Sequence, residues 1–329
     1  MTKDFMSPRP NPSMMNSKTP RGRLAPSPTG AQHLGNARTF LVAWLVNRAD
    51  NGHLTLRIED LDTPRTKSWA NVQAIEDLQW LGLDWDDVAP LQSGNTDRYE
   101  AILKTLRDQE LLYPCTCSRS EIEATASAPH EATLDGMVYP GSCASRSVGD
   151  AISLEASGIK FAWRFRMPHQ ISEWVDDFYG PQSLDARKLL GDFIVARNYG
   201  PVAYQLAVVV DDHDQGINQV VRGGDLIYST YRQLAIYRAL NWSEPNWLHV
   251  PLVVGSDGKR LAKRHGDTRL SRWRDQGVKP QVLLGHLACS LKLTASPQPL
   301  SAAELLELAK SNPKWWKTIP SEPWTPPAF

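Results

Sequence analysis

A turn rich in proline and glycine, Arg23-Leu-Ala-Pro-Ser-Pro-Thr-Gly-Ala-Gln-His-Leu-Gly-Asn36, holds the side chains best placed to do chemistry. The pattern predicts a strand end, a tight turn and a helix start, with His33 near the helix entrance. Helix N-termini present free N–H groups and the positive end of the helix dipole, so the turn suits an anionic ligand such as a triphosphate. Taken alone, the stretch has a less favoured alternative, an ordinary strand–turn–helix that binds nothing.

A second stretch, Lys259-Arg-Leu-Ala-Lys-Arg-His265, lies more than two hundred residues later and follows the turn Gly255-Ser-Asp-Gly258. An isolated basic run is more often a solvated loop than a site. Together with the first turn, however, these side chains predict cations that neutralise charge on a transferring or departing phosphate. The pairing of the two stretches favours this second interpretation.

Polar side chains are also predicted at strand ends, on the sheet edge where ligands bind in α/β folds. Arg222 ends a strand before a glycine turn, where it can bind a carboxylate through two parallel hydrogen bonds or form a surface salt bridge. Glu59 ends another strand and can hold a cationic amine or cap the next helix. Tyr204 opens a predicted strand over 206–210, and core packing is the alternative for it.

Three cysteines form the candidate metal site. Cys115 and Cys117 are one residue apart and Cys143 follows a Pro-Gly turn, which would supply three thiolates to one soft cation. Zinc requires a fourth ligand, for which Tyr139 and His130 are both candidates. A closed four-ligand site would be structural, and free reduced thiols are the alternative.

Hydrophobic periodicity predicts alternating strands and helices and therefore an α/β fold with a doubly wound, Rossmann-like parallel sheet. Helices are predicted over 37–49, from Asp62-Thr-Pro64 to Leu81, and over 226–240, 282–293 and 302–309. Strands are predicted over 54–58, 161–165, 193–196, 206–210, 220–222 and 250–254. Connections between the parallel strands are expected to be right-handed.

Composition indicates the class of protein but does not identify its partners. The chain has 329 residues, and its 36 Lys+Arg balance 36 Asp+Glu, so no global positive field indicates a nucleic-acid partner. The longest apolar runs are too short to cross a bilayer. Residues 1–20 lack the apolar segment of a signal peptide and predict a disordered lead. We expect a soluble, cytoplasmic protein.

The pattern divides the chain into five parts. A lead over 1–20 precedes the first half of the catalytic sheet, 21–114. The alternation of strands and helices is interrupted over 115–192, which predicts an insertion that carries the zinc site and an acceptor-like subdomain. The second half of the sheet, with the basic loop, spans 193–278, and a helical segment and tail span 279–329.

These residues together resemble the class I glutamyl-tRNA synthetases. The first turn resembles their HIGH region, Leu56-Arg-Ile-Glu-Asp60 is similar to their second shared block, and Lys259 to Arg264 resembles a KMSKS loop. The cysteine cluster with Tyr139, and the segments 206–213 and 221–226, resemble the glutamyl-Q tRNA(Asp) synthetase branch. The chain also ends soon after the basic loop, without length for the anticodon-binding domain of the full-length enzymes.

This resemblance implies an activity, its substrates and its partners. ATP would activate L-glutamate without tRNA to give glutamyl-adenylate, and the glutamyl group would pass to the queuosine base at the wobble position of tRNA(Asp). Mg²⁺ is expected on the triphosphate. No membrane partner is implied, and a monomer is expected.

The resemblance also assigns residues. It places Arg23, Leu24, Ala25, Pro26 and Ser27 along the glutamate site, with Arg23, Tyr204 and Arg222 on the side-chain carboxylate and Glu59 on the amino group. His33 and Lys263 are the implied catalytic residues and bind ATP together with Asn36. The implied zinc ligands are Cys115, Cys117, Tyr139 and Cys143.

The sequence departs from the family pattern at two positions. Asn36 stands where HIGH has its second histidine, and Ala262 replaces a serine of KMSKS. The resemblance leaves two alternatives to a glutamyl-Q enzyme, and the second is motivated by these departures. One is a truncated glutamyl-tRNA synthetase that charges tRNA(Glu), and the other is a non-catalytic paralogue that binds tRNA or nucleotide as a regulatory module.

Overall fold

The computed structural model describes residues 19–28, 30–61, 67–125, 137–198, 200–259, 261 and 268–326. The predicted disordered lead, apart from residues 19 and 20, lies outside this part of the chain. Lys263, His130 and the predicted helix start at Asp62-Thr-Pro64 also lie outside it.

Strands and helices alternate through most of the described chain. The strands are β1 Arg21–Leu24, β2 His53–Leu56, β3 Asp87–Val88, β4 Leu112–Cys115, β5 Ala162–Phe165, β6 Ser172–Asp176, β7 Gly180–Leu184, β8 Phe193–Arg197, β9 Gln219–Gly223 and β10 Asn246–Val250. The helices are α1 Leu34–Ala49, α2 Ser68–Trp80, α3 Thr96–Asp108, α4 Arg119–Thr125, α5 Asp150–Ala156, α6 Ala186–Leu189, α7 Tyr204–Asp214, α8 Ile227–Ala239, α9 Leu270–Asp275, α10 Pro280–Ser290 and α11 Ala302–Ser311.

Parallel strands form the centre of the fold. One sheet has the order β1-β2-β3, and a second has the order β7-β6-β10-β9, in which only β7 is antiparallel. The two sheets meet where β1 lies beside β9, with the Asn218 N–H donating to the Arg21 carbonyl oxygen at 3.0 Å. The strand order therefore reverses between β1 and β9, and a crevice forms at the carboxyl ends of strands at such a reversal.

Helices cover both faces of these strands. Neighbouring residues of β9 point into different cores, because Val220 belongs to one hydrophobic cluster and Val221 to the other. Trp247 and Leu248 of β10 divide in the same way. Strands buried on both faces are typical of doubly wound sheets, and the predicted α/β class is confirmed.

The predicted insertion contains a small antiparallel sheet. β5 pairs with β4 on one side and with β8 on the other, so the strands flanking the insertion are joined through it. The hairpin β6–β7 extends the second parallel sheet through β10 instead.

Two predicted strands are wrong. The apolar run 206–210 lies in helix α7, which is buried all round; a short apolar run cannot be distinguished from a buried helix by periodicity. The strand predicted over 250–254 lies earlier, as β10, and residues 253 and 254 only bridge to neighbouring segments. No helix among the described residues is both long and apolar enough to span a membrane.

Candidate active site and metal centre

A cavity of about 450 Å³ opens at the carboxyl ends of β1 and β9. Its lining includes nine of the predicted site residues, namely Arg23, Ala25, Pro26, Ser27, His33, Asn36, Glu59, Tyr204 and Arg222. Leu24 is not among them, because its side chain is buried in the core. The topology thus brings together residues that are up to two hundred positions apart.

Arg222 reaches the cavity from β9 and is held by neutral acceptors. Its Nε donates to His249 Nε2 at 3.1 Å, and its Nη1 donates to Gln233 Oε1 at 2.8 Å. Its Nη2 donates to Thr230 Oγ1 at 2.7 Å and to the Leu226 carbonyl oxygen at 3.3 Å. The guanidinium is 4.8 Å from the Trp247 ring centroid. Burial lowers the pKa of Arg222, and its hydrogen-bond partners among the described residues include no carboxylate.

Arg23, by contrast, is paired with a carboxylate. Its Nε donates to Asp212 Oδ1 at 3.3 Å, and its Nη1 donates to the Val221 carbonyl oxygen at 3.1 Å. Asp212 also accepts from Arg57 Nη1 at 2.6 Å, and Arg57 Nη2 donates to Glu59 Oε1 at 3.1 Å. These two arginines and two carboxylates compensate one another in charge, whereas Arg222 is hydrogen-bonded to neither carboxylate.

Glu59 and Tyr204 complete the polar wall of the cavity. Burial raises the pKa of Glu59, and Arg57 and Arg23 oppose that rise. Burial likewise raises the pKa of Tyr204, and Arg222 opposes it. A cationic group of a ligand beside Glu59 would stabilise its carboxylate, because opposite charges attract strongly where water is excluded.

His33 caps helix α1 at the other end of the cavity. The Gly35 N–H donates to His33 Nδ1 at 3.1 Å, and the His33 N–H donates to Asn36 Oδ1 at 3.2 Å. Since Nδ1 is an acceptor, a neutral His33 carries its proton on Nε2. The cap therefore presents an N–H donor of the imidazole at the positive end of a helix dipole.

The basic loop is anchored beside this cap. The Leu34 N–H donates to the Thr268 carbonyl oxygen at 3.1 Å, and the Leu270 N–H donates to the Gln32 carbonyl oxygen at 2.9 Å. At the other end of the loop, Leu261 is buried in the core. The structure thus places the flank at 268–270 beside His33, whereas Lys263 itself lies outside the described residues.

Three thiols converge in the insertion. The sulfurs of Cys115, Cys117 and Cys143 lie within 4.8 Å of one another, and the Cys117–Cys143 separation is 3.5 Å. The Tyr139 hydroxyl oxygen is 3.4 Å from the Cys115 sulfur and 3.6 Å from that of Cys117. A tetrahedral zinc ion would separate its sulfurs by about 3.8 Å, so the donor set fits such an ion.

The surroundings of this cluster act in opposite directions on its ligands: burial raises the pKa of Tyr139 and of Cys117, whereas the pKa of Cys143 is lowered. Burial raises the pKa of the Cys117 thiol to about 11. Burial also acts against ionisation of Cys143, but hydrogen bonds from Thr116, Tyr139 and Cys117 lower its pKa to about 7. The Arg164 guanidinium lies 3.7 Å from the Tyr139 ring centroid. A neighbouring cation stabilises anionic forms, as a bound metal ion also would.

Several residues of the site were missed from the sequence. Asp212 follows the predicted strand 206–210 in sequence, whereas in the structure it lies in the last buried turn of α7 and accepts hydrogen bonds from both Arg23 and Arg57. His249 and its partner Asp176 belong to no recognisable sequence motif. The sequence does offer one signal for such residues, namely a charged residue inside an otherwise apolar stretch. A charge that is buried in this way requires a partner.

Comparisons with known proteins agree with this geometry. A family model described as tRNA synthetases class I (E and Q), catalytic domain, matches residues 20–304. A Rhodopirellula baltica protein named glutamyl-Q tRNA(Asp) synthetase is 51% identical over 278 residues, covering 82% of this chain and 84% of its own length. A Symbiobacterium thermophilum protein of the same name is 43% identical over 318 residues, covering 93% and 96%.

A solved structure of a glutamate tRNA ligase also matches this chain. A glutamate tRNA ligase from Elizabethkingia meningosepticum, crystallised in complex with its amino acid, matches with a TM-score of 0.75 and 26% identity. The match covers 89% of this chain and 66% of that one, so this chain spans about two thirds of the solved protein.

Proposed function

Because this chain belongs to the class I glutamyl- and glutaminyl-tRNA synthetase family, and is thus a ligase, we propose that it activates L-glutamate with ATP. The products are glutamyl-adenylate and pyrophosphate, formed without tRNA, and the glutamyl group passes to the queuosine base at the wobble position of tRNA(Asp). The observation that carries this proposal is Arg222, a buried cation that lines the cavity and has only neutral hydrogen-bond acceptors among the described residues.

The charges of the cavity suit the amino acid. The side-chain carboxylate of glutamate binds Arg222, Arg23 and Tyr204, and its ammonium binds Glu59. Arg23, Ala25, Pro26 and Ser27 line this part of the site, whereas Leu24 packs in the core. A carboxylate that enters beside Arg222 balances a charge whose burial is otherwise costly.

The opposite end of the cavity suits the nucleotide. His33 Nε2–H, Asn36 and Lys263 bind the phosphates, with Mg²⁺ supplying further positive charge when the nucleotide is bound. The α-carboxylate oxygen of glutamate attacks the α-phosphorus of ATP, and the bond from that phosphorus to the bridging oxygen of pyrophosphate breaks. No side chain acts as a nucleophile, so the residues contribute positioning and charge stabilisation.

The queuosine target is supported by relatives that carry the glutamyl-Q name and match over most of their length. A glutamyl-tRNA synthetase that charges tRNA(Glu) is the second candidate, since the matching solved structure is a glutamate tRNA ligase. We further propose a cytoplasmic monomer with a structural zinc ion on Cys115, Cys117, Tyr139 and Cys143, and with the part boundaries given by the sequence.

Two assays test the proposal. Glutamate-dependent exchange of pyrophosphate into ATP without tRNA is expected, and its absence would contradict the activation step. Labelled glutamate and ATP are then incubated with queuosine-containing tRNA(Asp), queuosine-free tRNA(Asp) and tRNA(Glu). Only the first RNA is expected to become labelled. Equal labelling of both forms of tRNA(Asp) excludes the queuosine target, and labelling of tRNA(Glu) at its 3′ end supports the second candidate.

A further inference from the structure

A chain of hydrogen bonds runs behind the cavity across three adjacent strands. Asp176 ends β6, His249 lies in β10, and Arg222 lies in β9 directly opposite His249 in the strand register. Asp176 Oδ2 is 2.7 Å from His249 Nδ1, and His249 Nε2 is 3.1 Å from Arg222 Nε. Asp176 and His249 do not line the cavity, and both are almost completely buried.

The tautomer of His249 follows from its partners. Arg222 Nε can only donate, so His249 Nε2 must accept and the imidazole proton must lie on Nδ1. Asp176 accepts that proton's hydrogen bond and also one from the His249 backbone N–H at 3.1 Å. Its other oxygen accepts from the N–H groups of Phe178 and Tyr179. The strand-end carboxylate is thereby held in one orientation.

Charges around His249 keep the imidazole neutral. Burial, together with the cations of Arg222 and Arg23, lowers its pKa to about 4, although the hydrogen bond and the charge of Asp176 act to raise it. The negative charge of Asp176 is thus separated from the Arg222 guanidinium by a neutral ring. Arg23 differs in this respect, because its Nε bonds the carboxylate of Asp212 directly.

We propose that Asp176 and His249 are positioning residues that orient Arg222 toward the amino-acid carboxylate without compensating its charge, and so favour glutamate over glutamine. A carboxylate bonded directly to Arg222 would compete with the ligand for the guanidinium. A neutral acceptor fixes the direction of the guanidinium plane and leaves its charge for the substrate. Glutamine, whose amide has no charge and carries N–H donors, gains less at such a site. This inference rests on the proposed activation of glutamate.

Variants of His249 separate orientation from charge. His249→Ala removes the acceptor, and we expect the KM for glutamate in pyrophosphate exchange to rise about 10- to 100-fold, as for loss of a hydrogen bond to a charged group. The KM for ATP should change less than about 2-fold, because the residues proposed to bind ATP are not altered. His249→Gln keeps a neutral acceptor and should recover most of the affinity for glutamate.

A charged acceptor gives the sharper test. His249→Glu can still accept from Arg222 but brings a carboxylate to it, so we expect weaker glutamate binding than in His249→Gln and a smaller preference over glutamine. Glutamate binding is measured independently of turnover, as the ligand-induced increase in Tm. Equal glutamate affinity in the Gln and Glu variants would overturn the charge argument.

A control and a spectroscopic measurement complete the experiment. His213, whose ring stacks on Trp242 at 3.7 Å, does not line the cavity, so His213→Gln should retain both KM values. In the wild-type protein, ¹⁵N shifts of labelled histidine should show one neutral ring protonated on Nδ1 at pH 7, a readout that requires no variant to fold. Protonation of that ring on both nitrogens contradicts the inference. If wild-type exchange is normal and His249→Ala is unchanged, this inference alone fails; if wild-type exchange is absent, the proposed function fails.

Discussion

At the scale of single residues, the site is defined by which cations have a carboxylate partner. Arg23 and Arg57 share Asp212, whereas Arg222 has hydrogen bonds to neutral groups only among the described residues. Burying an uncompensated charge destabilises a protein, so such a residue indicates a ligand of opposite charge. The same contrast explains why Arg222 is the residue to test first.

We expect Arg222→Ala to reduce kcat/KM for glutamate in pyrophosphate exchange by at least about 100-fold, because a buried charge pair with the ligand is lost. Arg222→Lys should recover little, since an ammonium cannot reproduce the planar set of donors. Arg238→Lys, at an exposed pair with Glu244, is the control. Near-normal exchange in Arg222→Ala would exclude its role.

At the metal cluster, we expect Cys117→Ser to lower the zinc content, measured by elemental analysis of purified protein, from about one ion per chain to well below one. The replacement removes one of three converging sulfurs and leaves a weaker oxygen ligand. Cys289→Ser changes a thiol outside the cluster and should leave the zinc content unaltered. Wild-type protein without zinc would refute the proposed ion.

At the scale of elements, helix α1 and the segment after the basic loop form the part of the cavity that we propose binds the phosphates. The close approach of Gly35 to the imidazole positions His33, since a Cβ at Gly35 would lie 3.0 Å from His33 Cε1 and 3.1 Å from Nδ1. The cap of α1 and the position of the His33 ring are therefore one structural feature.

Gly35→Ala should shift this ring and lower kcat of pyrophosphate exchange by about 10- to 100-fold, because small displacements of positioned groups are costly. The KM for glutamate should change little, since Arg222 and Arg23 are untouched. Gly94→Ala, where a Cβ would meet nothing within 4 Å, is the control for a glycine replacement. Unchanged kcat would show that the ring has no such role.

The pairing of helices α2 and α9 should depend on pH. Arg274 of α9 bonds Asp77 of α2 at 3.0 Å, and burial raises the pKa of Asp77 to about 7 despite Arg274. The pKa of an aspartate in the unfolded chain is about 3.9. The folded protein favours the neutral carboxyl group of Asp77, so the resulting stabilisation is complete below about pH 4 and is lost as the pH rises through 7 and the buried group ionises.

In urea denaturation, the free energy of unfolding should therefore fall less between pH 5 and pH 8 in Asp77→Asn than in the wild type. An asparagine cannot ionise, but its carbonyl oxygen can still accept from Arg274. Parallel pH dependences in the two proteins would show that Asp77 does not titrate in this range.

At the scale of the whole molecule, a buried ionic cluster joins the two halves of the sheet. Arg57 from the first half bonds Asp212 and Gln215 from the second, and Arg23 bonds Asp212 as well. Burial lowers the pKa of Arg57, but Asp212, Glu59 and Asp211 together raise it above its usual value. The cluster lies directly beneath the cavity and fixes its two walls relative to each other.

Arg57→Met should lower the free energy of unfolding, measured with urea, by about 3–5 kcal/mol, because Asp212 loses its closest partner while remaining buried. Arg48→Met provides the comparison: its partners Asp84 and Asp86 are 71% and 38% exposed, so the loss should be below about 1 kcal/mol. Equal losses in the two variants would indicate that the buried cluster does not stabilise the junction.

The sequence by itself determined the α/β class and the groups that face the cavity, because the turn at Arg23–Asn36, Glu59 and Arg222 stand at strand ends in contiguous motifs. It also predicted the thiols of the metal cluster from their spacing. It failed at 206–210, where a short apolar run suits a strand or a buried helix equally well.

Only the tertiary structure decided which charges are compensated. Asp212 lies 189 residues from Arg23, and Asp176 lies 73 residues from His249. Their contacts depend on the order β1-β2-β3 and β6-β10-β9, and strand order is a consequence of packing both hydrophobic cores at once. Local patterns specify which residues are polar, whereas the fold selects the partner of each buried charge.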